Sequence, residues 1–286
     1  MITPGDQPPR PPSTRLLMAD PAYFDVEYVI NPHMAGHIGT VDKARARAQW
    51  EALRQVYLGL GLQVEVLPAV PGLPDLTFVA NQSFPILPVS GPPAVLLSNM
   101  HAPQRAPEPA VLAAWYEARG WQTHAIDDPS SHFEGMGDAI WHPGRRLIYG
   151  GYGYRTTQDT YTRRSHLVDA EVIALELTDP RMYHLDTCFS PLDEQTAVIS
   201  PEAYTAQGRE ALRRCFPRLI EAPLDEAVGC LAVNGHCPDG RHFIVDQQAV
   251  QTAALVRQAG FEVIPVDTSE FRKSGGSVQC MKLMLD

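Results

Sequence analysis

The sequence predicts an α/β chain of about five ββαβ-like units arranged in a ring around a central site, and three observations lead there. Helical stretches alternate with short strands, the helices end in glycine, and the passage from helix through glycine to strand recurs along the 286 residues. Leu60–Leu67, Arg119–Ile126 and Ala259–Val266 each carry a glycine followed by alternating apolar and polar residues, as expected where a helix C-terminus feeds a strand. Gly61, Gly120 and Gly260 lie 59 and then 140 residues apart, so the second gap holds two periods of roughly 60–70 residues. This weak repeat favours the ring, although periodicity alone is equally compatible with an open parallel sheet.

In chain order, residues 1–13 are dominated by proline, glycine and charge and read as a disordered tail, leaving 14–286 as a single domain. Helices are expected near Lys43–Tyr57, Pro109–Ala118, Arg163–Glu171, Tyr204–Cys215 and Gln247–Gln258, one for each unit. Gly150-Gly151-Tyr152-Gly153 follows a strand, but its spacing is wrong for a dinucleotide fingerprint and no good helix stands behind it. No cofactor is expected.

A hydrophobic content of 44% is ample for a core. The formal net charge of −10, with 23 basic residues in no dense run, argues against a nucleic-acid partner and tolerates a small cationic ligand. Five cysteines in no CxxC spacing argue against a disulfide scaffold or structural zinc and suggest a reducing compartment, with the cytoplasm as default. No apolar run reaches the length of a signal core or a membrane span.

The candidate chemistry lies where strands meet short loops. Ser274-Gly275-Gly276-Ser277-Val278-Gln279-Cys280 sets one thiol just behind two glycines, which let the backbone approach a ligand closely. His132-Phe133-Glu134-Gly135-Met136-Gly137-Asp138 places two carboxylates ahead of the apolar run Ala139–Trp141, where a lone charge is costly to bury. His184 and Asp186 in Tyr183-His184-Leu185-Asp186-Thr187 are two residues apart and are expected on one face of a strand. Asp75, in Pro74–Asn81, is expected at the head of another strand. Singly, each is as well explained by a capping or turn role. Together they contain the parts of a thiol enzyme for a cationic substrate: a nucleophile, a proton carrier and several anions.

In order along the chain, FEGMGD, HLDT and a C-terminal GGSVQC resemble the guanidino-group-modifying, or pentein, superfamily, with the likeness running from Tyr23 to Cys280. Its members include arginine deiminase, arginine dihydrolase, dimethylarginine dimethylaminohydrolase and the amidinotransferases. The resemblance implies a five-bladed α/β propeller with pseudo-fivefold symmetry and catalysis without a metal. It further implies Cys280 as nucleophile, His184 as general acid and base, and Glu134 as the carboxylate that orients His184. Asp75 and Asp186 resemble the acids that pair with guanidinium nitrogens, and Arg105 and Arg155 the arginines that grip a substrate carboxylate. Asp138 is counted with the substrate-binding set.

Two departures bear on the substrate. Asn81 stands where dimethylarginine enzymes usually carry an acid, and His184 is followed by Leu-Asp rather than Leu-Lys. Ala80-Asn81 and Ile30-Asn31-Pro32 are closer to the arginine dihydrolase branch, although His33 replaces its usual tryptophan. Asp20–His37 resembles the family's mobile lid, with Asn31 as its polar contact. The implied activity is hydrolysis of a guanidino C–N bond of arginine or an N-substituted arginine. A dimethylarginine dimethylaminohydrolase specifically, an amidinotransferase with an amine acceptor and a non-catalytic binding relative are the alternatives, and homo-oligomerisation is left open.

Overall fold

The computed structural model describes residues 2–86, 91–162 and 169–286. Within them lie five small sheets. Three share one plan in chain order: β3 (Ser83–Ile86), β4 (Ala94–Leu97), β5 (Gln122–His124); β6 (Ala139–Trp141), β7 (Leu147–Tyr152), β8 (Glu171–Glu176); β9 (Phe189–Pro191), β10 (Thr196–Ile199), β11 (Arg218–Glu221). In each, the middle strand pairs antiparallel with the strand before it and parallel with the strand after it.

The remaining two sheets are variations on that plan. β12 (His242–Asp246) runs parallel to β13 (Glu262–Val266), and a single antiparallel bridge from His236 to Ile244 stands in for the missing first strand. β1 (Arg15–Ala19) runs parallel to β2 (Gln63–Leu67), and its antiparallel partner is β14 (Leu283–Met284), brought from the far end of the chain. The α/β class therefore stands as the sequence predicts, in the form of several small sheets, none closed.

Each parallel step needs a crossover, and helices supply it: Lys43–Gly59, Glu108–Glu117, Ala206–Cys215 and Val250–Gln258. The first is capped by Asp42, which accepts from the Arg45 amide, and buries Ala46, Trp50, Leu53 and Tyr57 at helical spacing. Gly61, Gly120 and Gly260 take the left-handed conformation where helix gives way to strand. The helix expected at Arg163–Glu171 falls at the same crossover of its unit. Residues 158–162 are helical, 163–168 lie outside the described residues, and Glu171 opens β8 instead.

Every sheet grades from inside to outside. The first strands β3 and β6 are wholly buried, whereas the last strands β2, β8 and β13 are mostly exposed or half-buried. That grading is why the sequence alternation was legible in the last strands and not in the first.

Two expectations are corrected here. Residues 2–13 pack on the body: Pro9 bridges to Arg145, the Arg146 amide donates to the Pro8 carbonyl, and Arg10 donates to Ser13 and to the Asp286 carbonyl. Proline removes backbone donors but leaves carbonyls free, so a proline-rich segment can be held by donors from elsewhere. His184 and Asp186 do not lie on a strand: His184 is the N-cap of the 3-10 turn Leu185–Thr187, and β9 begins only at Phe189.

Candidate active site

The residues singled out in the sequence converge because they hold equivalent places in their units. Apart from Arg105, Arg155 and Asn31, each sits in a short turn that leads into a first strand. Pro74–Thr77 and Asn81 precede β3, Glu134 and the turn Gly135–Asp138 precede β6, and His184 to Thr187 precede β9. Cys280 precedes β14, and Asn234 precedes the bridge at His236. Backbone bonds join these turns: the Ala80 amide donates to the Cys280 carbonyl, and the Met136 amide to the Ala80 carbonyl. Gly137 is required by this crowding, since a Cβ there would meet Asn81 Nδ2 at 2.3 Å and the His184 ring at 3.5 Å.

In one half of the site the carboxylate is fully partnered. His184 Nε2 lies 2.6 Å from Glu134 Oε2, and Arg155 donates to the same carboxylate at 3.1 Å. The His101 amide donates to Glu134 Oε1, and the Arg155 guanidinium stacks over the Tyr183 ring at 4.8 Å. Burial works to raise the Glu134 carboxyl, but Arg155 and His184 outweigh it and hold it well below the usual carboxylate range. His184 Nδ1 is buried without a hydrogen-bond partner among the described residues.

The other half is under-partnered. The Cys280 thiol donates to Asp186 Oδ2 at 3.1 Å, and Asn234 Nδ2 donates to Sγ at 3.2 Å. Burial, then the Asp186 charge, push the thiol well above its ordinary value. Burial raises Asp186 to about 7, against the hydrogen bonds from Cys280 and Asn234, and its Oδ1 is left without a partner among the described residues.

Asn81 completes the convergence. Arg105 Nη1 donates to Asn81 Oδ1 at 2.9 Å, and because a guanidinium can only donate, this bond fixes which way the amide points. Asn81 Nδ2, the donor end, is buried without an acceptor among the described residues. Three unsatisfied polar atoms, His184 Nδ1, Asp186 Oδ1 and Asn81 Nδ2, thus gather with the cysteine, and such atoms in a native site mark the place of a ligand.

The remaining expected residues have protein partners. Both Asp75 oxygens accept hydroxyls, from Tyr28 and Ser274, each at 2.8 Å. Asp138 accepts from the Leu185 amide and the Thr156 hydroxyl, anchoring the turn that carries His184; burial raises its carboxyl to about 6. Arg105 is committed to Glu108, to Asn81 and to the Asp75 carbonyl, and Arg155 to Glu134 and the Ile30 carbonyl. Asn31 caps Pro32–Met34 and donates to the Ser274 carbonyl, which fastens the 20–37 segment over the cysteine turn. Among the described residues no group of three or more His, Cys, Asp or Glu side chains is placed to hold a metal ion. No described helix is long and apolar enough to cross a membrane.

Sequence reasoning missed Asn234, which also accepts from the Ser277 amide and donates to the Asp186 carbonyl, tying the cysteine turn to the histidine turn. Ala232-Val233-Asn234 repeats Val79-Ala80-Asn81 in character and in its distance from the first pairing position, a signal available once the units are aligned.

Comparison with known proteins agrees with this geometry. Residues 33–285 match the family model described as N,N dimethylarginine dimethylhydrolase, eukaryotic. The N(G),N(G)-dimethylarginine dimethylaminohydrolase of Mycobacterium tuberculosis is 36% identical over 96% of this chain and 86% of its own length. The bifunctional arginine dihydrolase/ornithine cyclodeaminase ArgZ of Synechocystis is 33% identical over 94% of this chain, which spans only 37% of that protein. The N-terminal domain of ArgZ bound to product superposes with a TM-score of 0.87 at 32% identity, covering 95% of this chain and 97% of that one. A variant of that domain has been solved covalently bound to a reaction intermediate, with a TM-score of 0.84 at 32% identity over 95% of this chain and 97% of that one. The motifs, the convergent turns and the match over most of its length agree: the chain belongs to the dimethylarginine dimethylaminohydrolase family, hydrolases of C–N bonds in linear amidines.

Proposed function

We propose that the chain hydrolyses the guanidino group of arginine through a covalent S-amidino intermediate on Cys280, with the five sheets acting as blades of a propeller around that site. The observation that carries this reading is the gathering of unpartnered His184 Nδ1, Asp186 Oδ1 and Asn81 Nδ2 beside the thiol.

A guanidinium brings five donors and a positive charge to a site whose free acceptor is Asp186 Oδ1. In the free enzyme the thiol is neutral; a cation beside it favours the thiolate, so activation follows substrate binding. The thiol proton passes to Asp186, to which it already donates, and sulfur attacks the central carbon to give a tetrahedral adduct. His184, held by Glu134, protonates the departing amine; ammonia leaves and the amidino-thioether remains. Neutral His184 then takes a proton from water, whose oxygen adds to the same carbon, and collapse of that adduct expels the thiolate. The net change is arginine plus water to citrulline plus ammonia.

Asn81 supports arginine over a methylated analogue and a second hydrolysis after the first. Its inward group is a donor, which suits the ureido oxygen of citrulline better than a guanidinium N–H. A retained ureido group can undergo the same thiol attack, giving ornithine, ammonia and carbon dioxide. In this reading Arg105 and Asp138 are positioning residues for Asn81 and His184. Incubation with arginine, citrulline or asymmetric dimethylarginine, with mass identification of products, tests it. Ornithine from both arginine and citrulline is expected. Dimethylamine release from dimethylarginine with no turnover of arginine would assign the 36%-identical relative's named activity instead.

A further inference from the structure

We propose that a cavity at the far ends of the innermost strands is a second ligand site, one that takes a small organic carboxylate paired with Lys282. The catalytic residues occupy the turns that lead into β6, β9 and β14. The cavity, about 320 Å³, is lined mainly by residues at and beyond the other ends of those strands, with Trp141, Pro191 and Met284 among its walls, while Met136, Phe189, Gln279 and Lys282 reach it from the entry side. The turn Gln279–Lys282 separates the two.

Lys282 is the unusual feature. It is 1% exposed, yet its ammonium makes no hydrogen bond or ion pair among the described residues. A buried, unpaired ammonium is costly, and burial lowers its pKa to about 7, against the opposing fields of Asp186 and Cys280. Arg10, which also lines the cavity, leaves its buried Nε without a partner among the described residues.

The acids at the rim have other engagements: Glu194 pairs with Arg145, Asp239 with His242, and Asp193 accepts from the Gln195 amide. The cavity therefore offers unfilled cationic capacity, and none of these rim acids bonds to Lys282. A single negative charge meets that need. The walls decide what carries the charge, since Met136, Ile140, Trp141, Phe189, Leu192 and Met284 suit an alkyl or aryl body and not a fully hydrated inorganic oxyanion. Lys282 lies two residues beyond Cys280, so occupancy also changes the charge felt behind the nucleophile.

The test uses the full chain with methyl-labelled methionine, titrated with sodium butyrate at constant ionic strength and followed by NMR. Saturable shifts of the Met136 and Met284 methyls are expected. They should persist in Cys280→Ser protein saturated with arginine, and the Lys282→Met variant should weaken the affinity at least tenfold. Because Lys282→Met could disturb folding, the methyl shifts in the unaltered chain localise the ligand independently. Shifts that stay linear in concentration, displacement by arginine, undiminished binding in a folded Lys282→Met protein, or equal saturation by inorganic phosphate would each overturn the proposal. None of these readouts involves turnover, so the result is independent of the reading of the catalytic site.

Discussion

The two halves of the site are built on opposite electrostatic plans. Around Glu134 every charge has a counter-charge: His184 and Arg155 flank one carboxylate, and the ionised state is fixed before any ligand arrives. Around Cys280 the charges are unbalanced, with a neutral thiol, an Asp186 raised to about 7 and a Lys282 lowered to about 7. In the proposed mechanism the partnered half sets geometry, while the unbalanced half receives the cation. A site that reacts with a weak electrophile gains selectivity this way, because the nucleophile is generated only where the substrate's charge is present.

The contrast predicts a graded series. The largest effect is expected for Cys280→Ser, which should lose at least ~10³-fold in kcat because a hydroxyl ionises far less readily than a thiol. The fold should persist, and no acid-stable adduct should be seen by mass spectrometry. Substantial residual turnover would remove the covalent step.

Glu134→Gln comes next. It leaves Arg155 buried without its counter-charge and His184 without its orienting anion, so a loss of ~10²–10³ in kcat and roughly 3 kcal/mol in stability is expected. Turnover should decline together with melting temperature. If only stability falls, Glu134 serves the fold alone.

The third concerns Asp186→Asn and breaks the comparison from the other side. A carboxyl raised from 3.8 to about 7 contributes its stability below pH 3.8 and loses it as pH climbs through about 7. Asparagine does not titrate, so the variant should gain on the wild type across that window, by at most about 4 kcal/mol, and hold the gain above it. Urea unfolding at pH 4 and pH 8 measures this. A difference independent of pH would mean that Asp186 is ionised throughout. Activity should fall even as stability rises.

The smallest effect is expected at the loop that covers the site. Asn31→Ala removes the bond to the Ser274 carbonyl and the cap on His33, at a cost of about 1 kcal/mol or less. It should slow turnover several-fold and quicken proteolysis of residues 20–37 in the free protein. Unchanged kinetics and unchanged cleavage would leave Asn31 an ordinary turn residue.

What was legible in the sequence follows the same physical divide. Helices and outer strands announced themselves because one face meets water: Gln63–Leu67 alternates visibly. The first strands are buried on both faces and only two to four residues long, so Ser83–Ile86 or Leu283–Met284 carry no period to detect. The residues that converge on the candidate site were readable through their motifs. Asn234 and Lys282 were not, because their roles depend on neighbours supplied by other units. Asp186 was assigned correctly to the neighbourhood of His184 but to the wrong local structure, since a two-residue spacing looks alike in a strand and beside a 3-10 turn.

The pairing of β14 with β1 also has a kinetic consequence. Leu16 meets Met284 and Leu17 meets Leu283 across more than 260 residues of chain, while Thr14 and Arg15 donate backbone amides to the Asp286 carboxylate. Contacts of such long sequence separation form late, because loop closure must be met before they contribute. On a ribosome, β1 emerges first and must wait for a partner strand made more than 260 residues later. Cys280 precedes that strand directly, so the thiol is the last part of the site to be seated. The rate at which its reactivity appears during refolding therefore times the closing of the first sheet.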